Sequence, residues 1–248
     1  MTVPEEIPMP SYTLKLKFTQ EVAAGTMAFH FDKPEGFAPI AGQYGDFTLI
    51  HPKETDEEGS VRSFTLASAP YEDSLFIATR MRDTAFKRVL KSLDSGSSVT
   101  MDGPSGDLVL HDDAEVPAVF LAGGIGITPV RSIVLQAIFE KRPQQLIAFT
   151  SNRKPGDAPF LEELNKAAAR HENFTFIPTM SDLDSSAVDW DGETGQISAS
   201  LLQRRLDDVK LPIYYITGPP DMVTSMQKLL NDLGVAEKNV RAEEFSGY

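Results

Sequence analysis

Ala118-Val119-Phe120-Leu121-Ala122-Gly123-Gly124-Ile125-Gly126-Ile127-Thr128-Pro129 runs from an apolar segment into a glycine-rich turn. Its first part, Ala118 to Ala122, is an uninterrupted apolar run, as expected of a parallel strand buried on both faces. The glycines that follow let the backbone turn sharply and approach a ligand closely. Thr128 is placed to act as an N-cap and Pro129 as the first residue of a helix running to about Lys141. A helix start of this kind presents free N–H groups, an anion site. Read alone, the turn is equally a tight structural one. It misses the last two positions of the usual dinucleotide fingerprint. It also has no Lys-Ser/Thr pair of a phosphate loop, which disfavours nucleotide hydrolysis.

Downstream of this turn, strand and helix alternate. Strands are predicted at Leu146–Phe149, Phe174–Ile177, Ile213–Ile216 and Asn239–Glu244, with helices at Pro159–Arg170, Ala199–Leu206 and Asp221–Leu233. The pattern predicts a doubly wound parallel sheet of order 3-2-1-4-5, with ligands at the switch point between its first and fourth strands. Gly218 and Pro219, after the fourth strand, belong to that switch point. Ser151, Asn152 and Arg153, after the second, would sit beside an adenosine ribose, where an Arg can pair with a 2′-phosphate. Ser181 to Gly195 reads as an acidic, mobile surface loop.

Upstream the grammar differs. Short alternating runs at Tyr12–Phe18, Met27–Phe31, Tyr44–Ile50, Ser63–Ala67, Leu75–Met81, Ser98–Asp102 and Asp107–Leu110 are punctuated by Gly and Pro clusters. They predict an antiparallel β-barrel, interrupted by one helix at Thr84–Leu93. The expected organisation is an antiparallel barrel over residues 1–113 followed by an α/β domain over 114–248. On the strand around Ser63, alternation puts Arg62, Phe64 and Leu66 on one face and Ser63 and Thr65 on the other.

Bulk composition narrows the chemistry. Over 248 residues the formal net charge is -13, which argues against nucleic acid and anionic membrane surfaces as partners. With no cysteine in the chain, disulfides, thiolate zinc sites, a Cys nucleophile and a Cys-held iron–sulfur cluster are excluded. The polar opening, Met1 to Pro10, is not a secretory peptide, and no apolar run is long enough to span a membrane, so a cytoplasmic protein is expected. His30, His51, His111 and His171 lack zinc spacing, and no metal site is expected.

Several short pieces occur in an order that resembles the ferredoxin–NADP reductase-like family over nearly the whole chain. They are Gly42-Gln43-Tyr44, Arg62 to Ser68, Gly103-Pro104 with Gly106, Gly123 to Pro129, Ser151-Asn152-Arg153, Gly218-Pro219-Pro220 and Glu243-Glu244-Phe245. The resemblance implies an NAD(P)H-dependent flavoprotein oxidoreductase whose barrel holds FAD, with FMN as the lesser alternative. It places Arg62 on the flavin pyrophosphate, Phe64 (usually Tyr) against the flavin, and Thr65 (usually Ser) with its hydroxyl near flavin N5. Ser63 lies between them. It gives Gly123, Gly124, Gly126, Thr128, Gly218 and Pro219 to the nicotinamide nucleotide, NADPH or NADH. Thr217 stands where many relatives carry Cys beside the nicotinamide. A C-terminal aromatic, Phe245 or Tyr248, would shield the flavin, with Phe245 favoured.

The physical chemistry of these residues agrees, since a guanidinium fork suits a pyrophosphate and an aromatic platform suits a flat ring. The sequence departs from the family at Arg80 to Lys87, where the usual glycine- and serine-containing pyrophosphate turn is replaced. Arg80, Arg82 and Lys87 are expected to supply charge there instead. Without an iron–sulfur cluster of its own, the chain is expected to pass electrons to a separate carrier such as ferredoxin or flavodoxin. The alternatives are reduction of free flavin or ferric chelates, and a non-catalytic flavin-binding sensor or subunit. The basic cluster of Arg80, Arg82, Lys87, Arg88 and Lys91 is either a solvated helix face or a dock for flavin phosphates or an acidic carrier.

Overall fold

The computed structural model describes residues 9–183 and 190–245. Among them the first unit is a six-stranded antiparallel sheet of order β4-β3-β6-β1-β2-β5. Its strands are β1 (Ser11–Ala23), β2 (Thr26–Asp32), β3 (Tyr44–Leu49), β4 (Val61–Thr65), β5 (Ser74–Arg80) and β6 (Ser98–Ser105). Past the end of β4, the N–H groups of Ala67 and Ser68 donate to Phe76 O at 2.9 and 3.3 Å, which brings the two edge strands together and curls the sheet into a barrel. Alternate residues point inward: Leu14 and Leu16, Phe29 and Phe31, Phe47 and Leu49, Leu75 and Ile77, Val99 and Met101. Helix α1 (Ala85–Lys91), N-capped by Thr84, packs Phe86, Val89 and Leu90 into the same core.

The second unit is a six-stranded parallel sheet of order β10-β9-β8-β7-β11-β12. Its strands are β7 (Ala118–Gly123), β8 (Leu146–Asn152), β9 (Phe174–Met180), β10 (Glu193–Thr194), β11 (Ile213–Gly218) and β12 (Val240–Glu244). Every residue of the central strand β7 is buried, as its unbroken apolar run requires. Ala118, Phe120 and Ala122 face α2 (Ile127–Phe139) and α3 (Leu161–Ala168). Val119 and Leu121 face α4 (Ala199–Arg205) and α5 (Pro220–Asp232) on the other side. Leaving aside the two-residue edge strand β10, this is the expected 3-2-1-4-5 order, with β7 and β11 at the switch point.

Four expectations need correction. Asp107–Leu110 is not a strand: Leu108 is buried among α/β residues, and Val109 O accepts from Arg241 Nη1 at 2.7 Å, so this backbone bonds to the second unit rather than to a ladder. Strand β1 runs past Phe18 to Ala23, because its second half pairs with β2 as a hairpin. Helix α2 does not start at an N-capping Thr128. A 3₁₀ turn over Gly124–Gly126 leads straight into Ile127, and the Thr128 hydroxyl donates back to Ile125 O at 3.0 Å. Ser181 to Gly195 is not uniformly a loop, since β10 pairs with β9 within it; residues 184–189 lie outside the described ones.

A buried guanidinium is one of the links between the units. Arg131, on α2, has only 5% of its side chain exposed. Its Nη1 and Nη2 reach Glu72 at 2.8 and 2.9 Å, its Nε and Nη2 reach Glu163 at 2.7 Å each, and Nη1 also donates to Ala67 O at 2.9 Å. Glu72 and Ala67 belong to the barrel, whereas Glu163 lies on α3. Phe76 and Phe160 stack over the guanidinium carbon, at 4.8 and 5.3 Å from their ring centres. Next to it, Ser132 Oγ donates to Ser68 O and Tyr71 N–H donates to Gln136 Oε1, both at 2.9 Å.

Burial alone would discourage the charge on Arg131, but bonds to the two carboxylates keep it firmly protonated. Removing one partner of a buried network leaves the others uncompensated. Both carboxylates reach solvent, so the loss is discounted. Arg131→Ala is expected to destabilise the protein by about 2–3 kcal/mol. Thermal unfolding checks this; a melting temperature within a degree or so of wild type would contradict it.

Candidate functional site

Three cavities run into one another along the seam between the units. The middle one, about 590 Å³, is walled by Arg62, Ser63, Phe64, Thr65, Ala78, Arg80, Thr84 and Lys87 of the barrel and by Ile125 and Thr128 of the glycine turn. Ser63, Thr65 and Phe245 are shared with a cavity of about 890 Å³ that also meets Tyr44, Asp107, Arg241 and Glu243. Arg80 is shared with one of about 460 Å³, lined by Arg82, Gly123, Gly124, Ser151, Asn152, Arg153, Pro219 and Met222. This last cavity lies beyond the C-terminal ends of β7, β8 and β11, where doubly wound sheets bind ligands.

The fold therefore brings the expected residues into two groups. On the barrel, Phe64 is half-buried, with its ring 5.8 Å from those of Phe47 and Phe86, so it is fixed by core packing. Thr65 is buried and lines both of the larger cavities. The Ser63 hydroxyl donates to Asp46 across the β3–β4 pair. Lys87 donates to Arg80 O at 2.9 Å, and burial followed by the nearby Arg82 and Arg62 charges holds its pKa below the usual lysine value. Arg62 is enclosed by Asp56 and Glu58 of the β3–β4 loop.

The glycine turn is shaped by close approach. A Cβ on Gly126 would stand 2.4 Å from Thr217 O, and one on Gly123 2.3 Å from Met222 Sδ. At Gly126 the obstacle is backbone, so only glycine lets the turn pack this tightly on β11, whereas at Gly123 it is the end of the Met222 side chain. Thr217 braces this turn from behind. It is fully buried, lines none of these cavities, and its hydroxyl donates to Gly126 O at 2.7 Å, so it holds the turn in place. Gly126 and Gly218 also shape the site from behind, without lining it.

Phe245 N–H donates to Gly218 O at 3.0 Å, and Phe245 lines both cavities that Thr65 lines. Tyr248 lies outside the described residues. Arg153 is exposed and pairs with Asp182 at 2.9 Å. One cation of the basic cluster on α1, Arg88, is ion-paired. Arg88 is gripped by Glu54 at 2.9 and 2.7 Å and paired with Asp83 as well. Among the described residues no group of His, Asp and Glu could hold a metal ion. His111 instead bonds to Tyr215 and Val116 O, and burial lowers its pKa.

The acids that partner these arginines carry little signal in the sequence. Asp56 and Glu58 stand there only as part of the run Glu54-Thr55-Asp56-Glu57-Glu58, and Asp182 as one of several acids in a loop. Glu243 is a further group that sequence reasoning does not single out by itself, yet it faces the 890 Å³ cavity.

The cavities suit an elongated aromatic dinucleotide-like ligand. They offer a fixed aromatic ring at Phe64, a buried hydroxyl-bearing side chain at Thr65, cations at Arg62, Arg80 and Lys87, and a glycine cradle, over a combined length that bridges both units. Comparison with known proteins agrees. Residues 120–228 match the model of the oxidoreductase NAD-binding domain. The chain is 30% identical over 233 residues to one of the polypeptides of the Na(+)-translocating NADH-quinone reductase of Serratia proteamaculans, covering 88% of this chain and 56% of that polypeptide. It thus spans a little over half of that relative's length.

Among solved structures, a ferredoxin NADP+ reductase from Neisseria gonorrhoeae with bound FAD and NADP superposes with a TM-score of 0.78 at 21% identity, covering 94% of this chain and 98% of that one. The flavohemoglobin of Malassezia yamatoensis, with bound FAD and heme, superposes with a TM-score of 0.80 at 22% identity over 95% of this chain and 60% of its own. At these identities the structural likeness establishes the fold.

Burial raises the pKa of Glu243. The folded state then holds this proton more tightly than the unfolded state. The resulting stability is fully present below the unfolded carboxylate value and is lost as pH rises through the folded one. Asp107, Arg241 and Glu244 line the same cavity. Glu243→Gln is expected to gain stability relative to wild type as pH rises from about 4 to about 7. Paired thermal melts across that range check it, and a constant difference would contradict the assignment.

Proposed function

The chain is a ferredoxin–NADP reductase-like FAD/NAD(P)-binding oxidoreductase module, and from that premise we propose that it takes hydride from NADH onto FAD and hands electrons to a separate acceptor. The carrying observation is the junction of the cavities: Ser63, Thr65 and Phe245 of the flavin cradle adjoin, through Arg80 and the Gly123–Gly124 turn, the cavity that collects Ser151, Asn152, Arg153 and Pro219. A pure flavin binder has no need of the second cavity, which favours an enzyme over a sensor.

The residues divide the work. Phe64 packs the flavin ring and Thr65 offers a hydroxyl at its reacting edge. Arg62, Arg80 and Lys87 supply the positive charge for the phosphates, and the long cradle favours FAD over FMN. Bound flavin supplies the chemistry itself, accepting a two-electron hydride and releasing electrons singly or together. Gly123 and Gly124 let the nicotinamide nucleotide approach the backbone, and Gly126 permits the tight turn that Thr217 braces. Phe245, held by Gly218 O, covers the place where nicotinamide must stack and has to move aside for it.

Support for NADH over NADPH comes from Arg153. Its guanidinium is already paired with Asp182, so a 2′-phosphate would have to displace that carboxylate and would meet its charge. For the acceptor, a ferredoxin- or flavodoxin-like carrier remains the family expectation. The pairing of Arg88 with Glu54 and Asp83 weakens the attraction of α1 for an acidic carrier. That observation favours a second reading, in which the acceptor is a small molecule such as free flavin or a ferric chelate.

Steady-state turnover with FAD and an artificial one-electron acceptor tests the reading. NADH is expected to exceed NADPH in kcat/KM by about tenfold or more, and Asp182→Asn to narrow that ratio mainly by lowering the KM for NADPH. Equal use of both donors by wild type would overturn the NADH assignment, and absence of turnover with either would overturn the reductase.

A further inference from the structure

Arg62 is wrapped by its own loop. Its Nη1 donates to the carbonyl oxygens of Glu58, Gly59 and Val61 at 2.9, 3.2 and 2.7 Å. Its Nη2 lies 3.1 Å from Asp56 Oδ1 and 2.7 Å from Glu58 Oε2. Both terminal nitrogens, which form the end-on fork of the guanidinium, are therefore engaged. Phe86 holds the plane from below, 5.2 Å from the guanidinium carbon.

The loop is fastened as well. Asp56 Oδ2 accepts the Ala85 N–H at 3.2 Å, and its Oδ1 accepts the Glu58 N–H at 3.1 Å. Two residues back, Glu54 grips Arg88 on α1 through both oxygens, at 2.9 and 2.7 Å. Ion pairs thus tie residues 54–58 to β4 and to α1, and Glu58 itself lines the 590 Å³ cavity beside Arg62, Thr84 and Lys87.

Resting on the reading of that cavity as a flavin cradle, we propose that Asp56 and Glu58 are specificity-determining residues, which compete with flavin phosphate for Arg62. A carboxylate and a phosphate ask the same thing of a guanidinium fork, and one fork serves one of them at a time. A phosphate that takes the fork also leaves two carboxylates facing its own charge. Phosphate-bearing flavins therefore bind by exchange, and their advantage over phosphate-free riboflavin is cut. Asp56 is the stronger competitor: its side chain is 33% exposed, against 73% for Glu58, so solvent screens it less.

The test is to titrate flavin-stripped full-length protein with FAD, FMN and riboflavin, following quenching of flavin fluorescence. Wild type is compared with Asp56→Asn, Glu58→Gln and the double variant. Asp56→Asn keeps an oxygen for the Ala85 N–H, and circular dichroism confirms that each variant is folded. The double variant is expected to bind FAD and FMN about tenfold more tightly, with most of the gain from Asp56→Asn and riboflavin unchanged within about twofold. In an Arg62→Gln background the same acid substitutions should no longer separate FAD from riboflavin.

Equal shifts for all three flavins, or weaker FAD binding in the acid variants, would overturn the proposal and make these acids supports for Arg62. If wild type binds flavin and the variants leave the FAD-to-riboflavin ratio unchanged, this inference alone falls. If no flavin binds to any of the proteins, the cradle reading falls with it.

Discussion

A single buried guanidinium sets the geometry on which everything else rests. Arg131 sits three residues into α2 beyond Thr128, on the helix whose approach is the glycine turn. Its bonds to Glu72 and Ala67 fix that helix against the barrel, and its bonds to Glu163 fix it against α3. The same rigid element thus carries Ile125 and Thr128 into the wall of the cavity whose other side is Arg62, Phe64 and Thr65. A guanidinium is suited to this because its planar fork meets two carboxylates at once while its faces stack on Phe76 and Phe160. Ion pairs of this kind contribute less to stability than to register, since desolvation offsets much of their attraction. Register is what a site shared between two units needs.

In this acidic chain several arginines are held by carboxylates. Arg62 meets Asp56 and Glu58, Arg88 meets Glu54 and Asp83, and Arg153 meets Asp182. Arg204 and Arg205 share Glu193. Every phosphate this protein recognises through such a residue has to be taken in exchange for a carboxylate. Recognition then leans on shape, on stacking and on backbone glycines more than on free positive charge. The same pairing takes Arg88 out of the cluster of cations on α1.

The parts of the molecule legible in the sequence are those governed by local pattern. The unbroken run of β7 signals a strand buried on both faces, and helices do cover it on each side. Inward alternation signals the barrel strands. The order of the short motifs assigns Thr65, Phe245, Gly123 and Arg153 to one functional region, and the fold lines a single seam with them. What escapes a reading of the sequence is set by distant partners. Asp107–Leu110 has strand-like alternation, yet its backbone bonds to Arg241, 132 positions away. Thr217 has a residue type suited to chemistry, yet Gly126 O, 91 positions away, takes its hydroxyl. Thr128 resembles a cap because a Ser/Thr before Pro usually is one, but the preceding glycines have already begun the helix as a 3₁₀ turn. The partners of Arg131, 59 and 32 positions off, carry no local signal at all.

Nicotinamide and flavin are proposed to meet at this seam and exchange hydride there. This exchange is tested most directly by single-turnover mixing, without oxygen, of the FAD-loaded protein with NADH, following the visible absorbance of the flavin. Rapid, saturable bleaching is expected, at a rate that levels off with NADH concentration, because a bound donor delivers hydride within the site. A loaded protein that stays oxidised under excess NADH and excess NADPH would contradict it, and would leave the chain a flavin binder with a nucleotide-shaped cavity.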